Sequence, residues 1–246
     1  MSISVIVIAK NEAHAITKCL ESVSWADEIV VVDSGSTDGT VEICEEHGAK
    51  VTVTDWPGFG PQKNRALDLA GCDWILSLDA DESVSEELAK EIREAVAGSC
   101  AEAYSIPRMS SYCGRYMRHS GWWPDRVIRL FRRGAARFSE DLVHEKLIVA
   151  GRIGKLSQPL MHEAFTDLSE VLQKMDHYSS AGAQRMAGKG KNASLGTAVL
   201  KGMWAFFRTY ILQAGFLDGR EGFMLAVSNA EGTYYRYLKL MLMKNR

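Results

Sequence analysis

The sequence predicts an α/β fold in which a mostly parallel sheet is flanked by helices and followed by a helical C-terminal extension. Within the first hundred residues, short runs rich in Val and Ile alternate with segments of helical period. The runs are continuously apolar, as in the strands of a parallel sheet that are buried on both faces. From about residue 168 onward the pattern is helical. Together these observations indicate a series of βαβ units with a helical appendage.

Four strand and helix pairs are predicted in the first half of the chain. Connections of this kind are right-handed and produce a parallel sheet. Ligands of such sheets bind at the edge where the strands end, so we expect a nucleotide-binding half here. The predicted strands are 3–9, 28–33, 51–54 and 73–78, and the helices that follow them are 12–23, 40–47, 61–70 and 85–96.

The pattern changes after Tyr104, where short strands are separated by loops rich in aromatic and basic residues. Such loops are typical of a substrate-facing half. We therefore expect a catalytic domain over 1–165, divided into halves 1–100 and 101–165, and a helical extension over 166–246. The predicted strands are 103–107, 127–131, 145–149 and 158–161, and the predicted helices are 168–188, 195–214 and 220–243.

Composition excludes several classes of protein. The chain has 246 residues, of which 46% are hydrophobic and 24% are charged, as in a globular protein. Its net charge of −2 gives no electrostatic reason to expect a nucleic-acid partner. Five scattered cysteines without a C-x-x-C pair indicate neither a disulfide framework nor a zinc site.

The ends of the chain bear on its expected location. Residues 1–8 lack the basic region and cleavage site of a signal peptide and are predicted as a strand. The most apolar segment, 195–217, contains Lys201 and Arg208, and no run reaches the roughly 18 apolar residues of a membrane span. We therefore expect a cytoplasmic protein.

Two carboxylates, Asp79 and Asp81, follow the fourth predicted strand with one residue between them. An Asp-x-Asp pair offers hard oxygen ligands to a divalent cation and its phosphate-bearing substrate. The tripeptide is common by chance, however, and a solvated turn that caps the helix from Ser85 explains it equally well. The motif gains meaning only from its surroundings.

Polar loops also follow the first two predicted strands. In the second loop Asp33 ends a strand, and small residues after it permit a ligand to approach the backbone. Helix capping explains the same residues without a ligand. Lys63 and Arg65 open the third helix, where they either face a phosphate or form a solvated first turn. Neither a P-loop nor a dinucleotide-binding glycine motif is present.

Taken together, these motifs carry a family resemblance. The segments AKNE (9–12), VVDSGSTDGT (31–40), QKNRAL (62–67) and LDADE (78–82) resemble, in order and spacing, those of the inverting family 2 glycosyltransferases of GT-A fold. The likeness continues through RLFRR (129–133), VHE (143–145) and 210–219. Within the family, the sequence most resembles the β-1,4-glucosyltransferases of lipopolysaccharide core biosynthesis.

The resemblance implies a donor site in the first half of the chain and a metal site with Mg²⁺ or Mn²⁺. The implied metal ligands are Asp79, Asp81 and His162, because Asp-x-Asp and a later histidine serve this purpose in the family. A lone histidine is, by itself, more often structural. The implied nucleotide-sugar-binding residues are Ala9, Asn11, Glu12, Asp33, Ser34, Gly35, Lys63, Arg65, Asp79 and Ala80.

An inverting transfer also requires a base that removes the proton of the acceptor hydroxyl. Glu145 resembles the family's carboxylate after the acceptor-binding loops and is our first candidate. Asp141 is the rival, because Glu140 and Asp141 resemble a Glu-Asp pair that carries the base in other branches. A surface ion pair with Lys146 is the alternative reading for either carboxylate.

The acceptor site is expected at Trp122, Trp123, Arg126 and Arg129, where the family binds its acceptor. Aromatic faces stack on sugars and arginines bind phosphate, although core tryptophans and a basic strand face fit the same residues. Aromatic and basic residues also alternate in the C-terminal helices. Such a stripe suits contact with an anionic membrane surface, and packing against protein would produce it as well.

The leading hypothesis is a hexose transfer from a nucleotide sugar, UDP-glucose, to a heptose of the lipid-linked lipopolysaccharide core. A transferase that uses a polyprenyl phosphate or another surface-glycan acceptor is the nearest alternative. A sugar-phosphate nucleotidyltransferase would be expected to show a glycine-rich loop after the first strand, where this chain has Asn11 and Glu12. A non-catalytic sugar-binding protein would not need a metal motif and a candidate base.

Overall fold

The computed structural model describes residues 1–139 and 146–243. The strands are β1 (Ile3–Ala9), β2 (Glu28–Asp33), β3 (Lys50–Val53), β4 (Trp74–Asp79), β5 (Glu82–Val84), β6 (Ala103–Tyr112), β7 (Arg115–Tyr116), β8 (Asp125–Arg132), β9 (Ala136–Phe138), β10 (Leu147–Val149), β11 (Ile153–Lys155) and β12 (Leu160–Phe165). The helices are α1 (Ile16–Ser22), α2 (Thr40–Glu46), α3 (Phe59–Leu69), α4 (Glu86–Gly98), α5 (Leu168–Gly188), α6 (Leu195–Phe207) and α7 (Gly219–Met243).

The main sheet has the strand order β3-β2-β1-β4-β8-β6-β12-β5, with β7 and β11 paired to β6. Strands β3, β2, β1 and β4 are parallel, and β8 runs antiparallel to β4. The strand order reverses between β1 and β4, which makes their carboxyl ends the switch point of the sheet. The predicted α/β class and C-terminal helices are confirmed, with a sheet that is mixed beyond β4.

Along β1, apolar side chains point alternately to the two faces of the sheet, as suits a central strand that is covered on both faces. Ile3, Val5 and Val7 pack in one apolar cluster on one face of the sheet, whereas Ile6 and Ile8 pack in a second cluster. Helices cover both clusters, as a parallel sheet requires, because its connections cross over the faces. Both faces of β1 are therefore packed with apolar side chains, and in the sheet the buried Ser77 of β4 lies opposite Ile6.

Glu28 joins several elements at the amino-terminal edge of the sheet. Its carboxylate accepts hydrogen bonds from Lys50 Nζ (2.7 Å), Gly71 N (2.8 Å) and Ser4 Oγ (2.5 Å). Partial burial opposes ionisation, but these hydrogen bonds lower the pKa of Glu28 to about 2. The carboxylates of this edge therefore hold strands together, at the end of the sheet opposite the switch point.

Most predicted elements are present, and the differences have local causes. Helix α1 begins at Ile16 and not at Glu12, because residues 12–15 form a turn after Asn11, whose φ is +56°. The predicted helix 195–214 ends as an α-helix at Phe207 and continues as a π-helical turn, Arg208–Leu212. Strand β6 is longer than predicted, and the short strands β5, β7, β9 and β11 were not predicted.

By packing, the chain divides into two units. The first consists of Met1–Arg108 and Asp125–His162, and the second of Met109–Pro124 and Glu163–Arg246. Segment 109–124 thus groups with the C-terminal helices, whereas the predicted boundary at 165 placed it with the acceptor half. This grouping concerns packing, and the functional division at 100 and 165 stays a prediction.

In the second unit, α7 packs along both α5 and α6. Asp218 is 1% exposed, and its carboxylate holds the loop before Gly121 by accepting hydrogen bonds from the backbone N–H groups of Arg118 and His119 and from Ser120 Oγ.

Of the helices among residues 1–139 and 146–243, none combines the length and hydropathy that crossing a membrane requires.

Candidate active site

Asp79 is the last residue of β4, at the switch point of the sheet. One third of its side chain is exposed, and both oxygens contact cations: Oδ1 lies 2.9 Å from Lys63 Nζ, and Oδ2 accepts a hydrogen bond from Arg129. Although burial opposes ionisation, Arg129 and Lys63 hold the pKa of Asp79 well below its usual range. Asp79 is therefore a fixed anion between two fixed cations.

Beneath Asp79, the fully buried carboxylate of Glu82 organises the turn. It accepts hydrogen bonds from Asp79 N (3.0 Å), Arg129 Nη2 (2.6 Å) and Arg108 Nη1 (3.4 Å). Burial raises the pKa of Glu82, and the charge of Asp79 adds to this effect, against the opposing charge of Arg129. Glu82 thus fixes both the backbone of Asp79 and the guanidinium that neutralises it.

Asp81 and His162 form the second part of the site. Strand β12 pairs with β5 so that His162 lies opposite Glu82, and this register brings His162 Nε2 to 3.3 Å from Asp81 Oδ2. The two side chains are 15% and 30% exposed, so a ligand can reach them. A carboxylate oxygen beside an imidazole nitrogen fits a divalent cation such as Mn²⁺.

Over residues 1–139 and 146–243, no group of three or more His, Cys, Asp and Glu side chains is arranged to hold a metal ion. Two protein ligands are nevertheless sufficient for a cation that shares its shell with water and substrate phosphates. The predicted metal ligands therefore divide: Asp81 and His162 face each other, whereas both oxygens of Asp79 already contact Lys63 and Arg129.

The loops after β1 and β2 hold each other at the neighbouring strand ends. Asn11 N donates to Ser36 Oγ (2.8 Å), and Asn11 Oδ1 accepts a hydrogen bond from Thr37 N (2.9 Å). Glu12 N donates to Thr40 Oγ1 (2.9 Å). The positive φ of Asn11 turns the chain between these contacts. The two predicted donor-binding loops are thus one hydrogen-bonded structure.

Asp33, at the end of β2, is fully buried. Its carboxylate accepts hydrogen bonds from Gly35 N (2.8 Å) and from Ser36 N (2.8 Å) and Oγ (2.5 Å). These are the bonds of a turn closed by its own aspartate. A carboxylate has about four acceptor positions, so one remains beyond these three for a ligand. The role of Asp33 in binding a nucleotide stays a prediction.

Helix α3 supplies the polar residues below this loop. Gln62, which is buried, donates from Nε2 to Ser34 Oγ (3.0 Å) and to Thr54 Oγ1 (3.0 Å). Arg65 donates from Nη1 to Asp55 Oδ1 (2.7 Å) and to Thr54 Oγ1 (3.2 Å). Arg65 therefore closes the loop after β3, while Lys63 alone among these residues contacts the Asp-x-Asp motif.

The predicted acceptor residues have different surroundings. Trp122 packs against Tyr112 and Phe165 in the second unit, with ring centroids 6.0 and 5.9 Å apart. Arg126 donates from Nη1 to the carbonyl oxygens of Ser105 (3.3 Å) and Leu156 (3.0 Å). Trp123 is half-buried, and Arg129 is 6% exposed against Asp79 and Glu82. The acceptor role of these four residues stays a prediction.

Both base candidates, Glu145 and Asp141, lie outside the described residues. The hairpin on either side of them is held firmly: Ser139 N donates to Lys146 O (2.9 Å). One step earlier, the buried amide of Asn64 bonds both backbone groups of Phe138, accepting from its N (3.0 Å) and donating to its O (2.9 Å).

Glu82 and Asn64 lie within the motifs that carry the family resemblance, but neither residue was assigned a role from the sequence. Glu82 is itself the first residue of the three-residue strand β5, Glu82–Val84, and an element so short has no periodic signal. For Asn64 no local signal existed, because its partner Phe138 lies 74 residues away.

A sheet with acidic side chains at its switch point is typical of α/β enzymes that bind a ligand at the carboxyl ends of their strands. The chain belongs to glycosyltransferase family 2, whose sequence profile, described as "Glycosyl transferase family 2", matches residues 4–146. The expected family is confirmed, and the protein is an enzyme of this family.

Relatives cover most of the chain. An uncharacterized glycosyltransferase of Rickettsia felis is 32% identical over 251 residues, 97% of this chain and 89% of the relative. The lipopolysaccharide core biosynthesis glycosyltransferase LpsC of Rhizobium meliloti is 28% identical over 243 residues, 94% of this chain and 88% of LpsC. The crystal structure of S. aureus TarS 1-349 shares the fold, with a TM-score of 0.52, 19% identity, and coverage of 100% of this chain and 92% of the 1-349 chain.

Proposed function

We propose that this protein is a metal-dependent inverting glycosyltransferase that transfers glucose from UDP-glucose to a heptose of the lipopolysaccharide inner core. The observation that carries the proposal is the charge arrangement at the switch point, where Asp79 is fixed between Lys63 and Arg129 beside the Asp81 and His162 pair. Cations that are fixed before the substrate arrives lower the cost of binding a diphosphate.

Asp81 and His162 are the residues that we propose to hold the metal, because their side chains lie 3.3 Å apart and both are partly exposed. When bound, a divalent cation supplies positive charge that stabilises the departing diphosphate. We propose that Asp79 instead accepts a hydrogen bond from a donor hydroxyl, since its exposed third keeps acceptor capacity. This assignment replaces the direct metal ligation that the motif predicted for Asp79.

The donor side of the proposal places the nucleotide over the joined loops after β1 and β2. Their mutual hydrogen bonds, through Asn11 and Glu12, present a surface that does not need to be ordered on binding. The other residues that we propose to bind the donor are Ala9, Asp33, Ser34, Gly35, Lys63 and Ala80. Arg65 would act through its hydrogen bond to Asp55 in the loop after β3.

The acceptor is supported by the relative LpsC, whose name assigns it to lipopolysaccharide core biosynthesis. We propose a lipid-linked acceptor, with Trp122 and Trp123 near the sugar and contact between the C-terminal helices and a membrane surface. A polyprenyl phosphate or another surface-glycan acceptor is the alternative, and TarS structures with UDP and UDP-GlcNAc make UDP-GlcNAc the first competing donor to test.

The donor proposal is tested by thermal unfolding with UDP-glucose, UDP-GlcNAc and GDP-mannose, each with Mn²⁺, Mg²⁺ or EDTA. We expect UDP-glucose with metal to raise the melting temperature, since a ligand at one hundred times its Kd adds about 2.7 kcal/mol of stability. Asp81→Asn should lose the metal-dependent part of the shift, whereas Asp68→Asn, an exposed aspartate on α3, should keep it.

The donor assignment would be overturned if no nucleotide sugar shifted the melting temperature, and a larger shift with UDP-GlcNAc would change the assigned sugar.

Activity lost in Glu145→Gln and retained in Asp141→Asn is the expected result for the base. The reverse result would assign the base to Asp141.

A further inference from the structure

In helix α6 the small apolar residues are buried and most of the large ones are exposed, which reverses the usual arrangement. The buried residues of the helix are the small ones, Ala198, Gly202 and Ala205, and Phe206 packs against Phe223 of α7 with ring centroids 5.7 Å apart. A Cβ on Gly202 would lie 3.2 Å from Ala230 O and from Tyr234 Cβ, so the two helices approach closely. The usual amphipathic helix places its large apolar side chains inward.

Most of the large apolar side chains of α6 and of the turns after it are exposed, whereas Phe206 and Tyr210 are half-buried. Leu200 and Met203 are 68% and 65% exposed, and Trp204 is 53% exposed. This set, which we call the α6 face, consists of Leu195, Val199, Leu200, Met203, Trp204, Phe207, Ile211, Leu212, Phe216 and Leu217. Contiguous apolar surface of this extent marks an interaction site.

The stretch of chain that carries the α6 face has charges of one sign. Between Asp176 and Asp218 the chain carries no carboxylate, and Asp218 itself is buried. The charged residues of this stretch are Arg185, Lys189, Lys191, Lys201 and Arg208. Cations around an apolar face with exposed Trp, Phe and Leu are the composition of helices that lie in the headgroup region of anionic membranes.

We infer that the α6 face docks on an anionic lipid surface, with α6 lying in the plane of the headgroups. A second copy of the chain fits the charges less well, because a two-fold contact would bring the cations of one face near those of the other. An anionic surface complements both the apolar side chains and Lys201 and Arg208.

This inference deepens the membrane contact of the proposed function, and its test needs no nucleotide sugar. The full chain is sedimented with vesicles of phosphatidylcholine alone or with phosphatidylglycerol in equal parts. We expect binding to the mixed vesicles, weakened by salt, and little binding to phosphatidylcholine. The donor-induced thermal shift is measured separately, so failure of the docking surface and failure of the donor site are distinguishable.

The matched variants are the double changes Leu200→Gln with Trp204→Gln, and Leu69→Gln with Ile153→Gln. All four side chains are 46% to 68% exposed, and the second pair lies in the other unit. We expect the first pair to lower vesicle binding by about tenfold or more and the second pair to leave it unchanged. Lys201→Glu with Arg208→Glu should lower binding to the mixed vesicles only.

Two results would overturn the inference. One is equal vesicle binding by the wild type and by the Leu200→Gln, Trp204→Gln variant. The other is a wild type that does not bind vesicles but forms a dimer in sedimentation velocity, with the dimer lost in this variant. A second copy of the chain would then cover the α6 face. The melting temperatures of all variants, measured in parallel, show whether each is folded.

Discussion

At the scale of single residues, the buried guanidinium of Arg129 is the centre of the site. It neutralises Asp79 and Glu82 at once, while its own Nε has no hydrogen-bond partner within the described part of the chain. Burying two carboxylates is costly unless they are paired, so we expect Arg129 to stabilise the fold at this site.

We therefore expect Arg129→Met to lower the free energy of unfolding by about 3–5 kcal/mol, because it leaves two acidic groups without their shared cation. Chemical denaturation measures this loss. Arg133→Met, an exposed arginine just after the same strand, should change stability by less than about 0.5 kcal/mol. Equal losses in the two variants would contradict the role of the buried pair.

Adding Glu82→Leu to Arg129→Met should restore much of this stability, since it replaces a buried charge pair by apolar groups. Donor-induced stabilisation should not return, because Asp79 would still lack Arg129. A double variant that binds the donor normally would show that Arg129 acts only in folding.

Residue identities in the site were predicted more securely than their partners. Asp79, Asp81 and His162 were predicted from motifs, and the register of β5 and β12 brings two of them together. The pairing of Asp79 with Arg129 spans 50 residues, and no periodicity in the sequence encodes such a contact. Arg129 was therefore assigned to the acceptor by its place in the chain.

At the scale of elements, the close approach of α6 to α7 depends on glycine. We expect Gly202→Val to destabilise the protein by about 1–3 kcal/mol, because its side chain would press against the backbone of α7. Gly196→Val on the same helix is the control: a Cβ there meets only Ser194 Oγ at 3.9 Å, so stability should hold or rise slightly. Urea unfolding compares the two, and a larger loss from Gly196→Val would refute this packing.

Long periodic elements were predicted well, and short ones were not. Helix α5 has the predicted bounds, 168–188, because its period is unbroken and Asp167 caps its start. Strand β5 has three residues, too few for any period, and it exists because β12 pairs with it. Elements that depend on a distant partner have no local signature.

At the scale of the whole molecule, the amino-terminal edge of the sheet makes the stability of the fold depend on pH through Glu28. Glu28 has a pKa of about 2 in the folded protein, against 4.5 for the ordinary group. Its ionised form therefore stabilises the fold above about pH 4.5, and this stabilisation is lost as the pH falls toward 2. The amino-terminal edge should loosen in acid.

Glu28→Gln should accordingly be less stable than the wild type at pH 7, and the difference should shrink steadily below pH 4.5. Denaturant midpoints of both proteins between pH 2 and pH 7 measure it. Glu45→Gln, on the exposed side of α2, is the control and should follow the wild type at every pH. A gap that stays constant with pH would mean that Glu28 acts through packing alone.

The parallel direction of β1 to β4 was predictable because these strands belong to consecutive βαβ units, whose handedness follows from general rules. The division into packing units was not, since it separates segment 109–124 from its neighbours in sequence. Such a grouping results from contacts such as those of Asp218 with residues 118–120, which local patterns do not record.

The adjacent residues Lys63 and Asn64 have a practical consequence for building chimeric enzymes. One turn of α3 holds Asp79 through Lys63 and the hairpin at Phe138 through Asn64. A crossover near residue 100, between the two predicted halves, would exchange α3 together with Asp79 but leave behind the hairpin at Phe138 to which Asn64 bonds. Donor specificity should transfer between relatives only when the transplanted segment extends past Phe138, so that helix and hairpin share one parent.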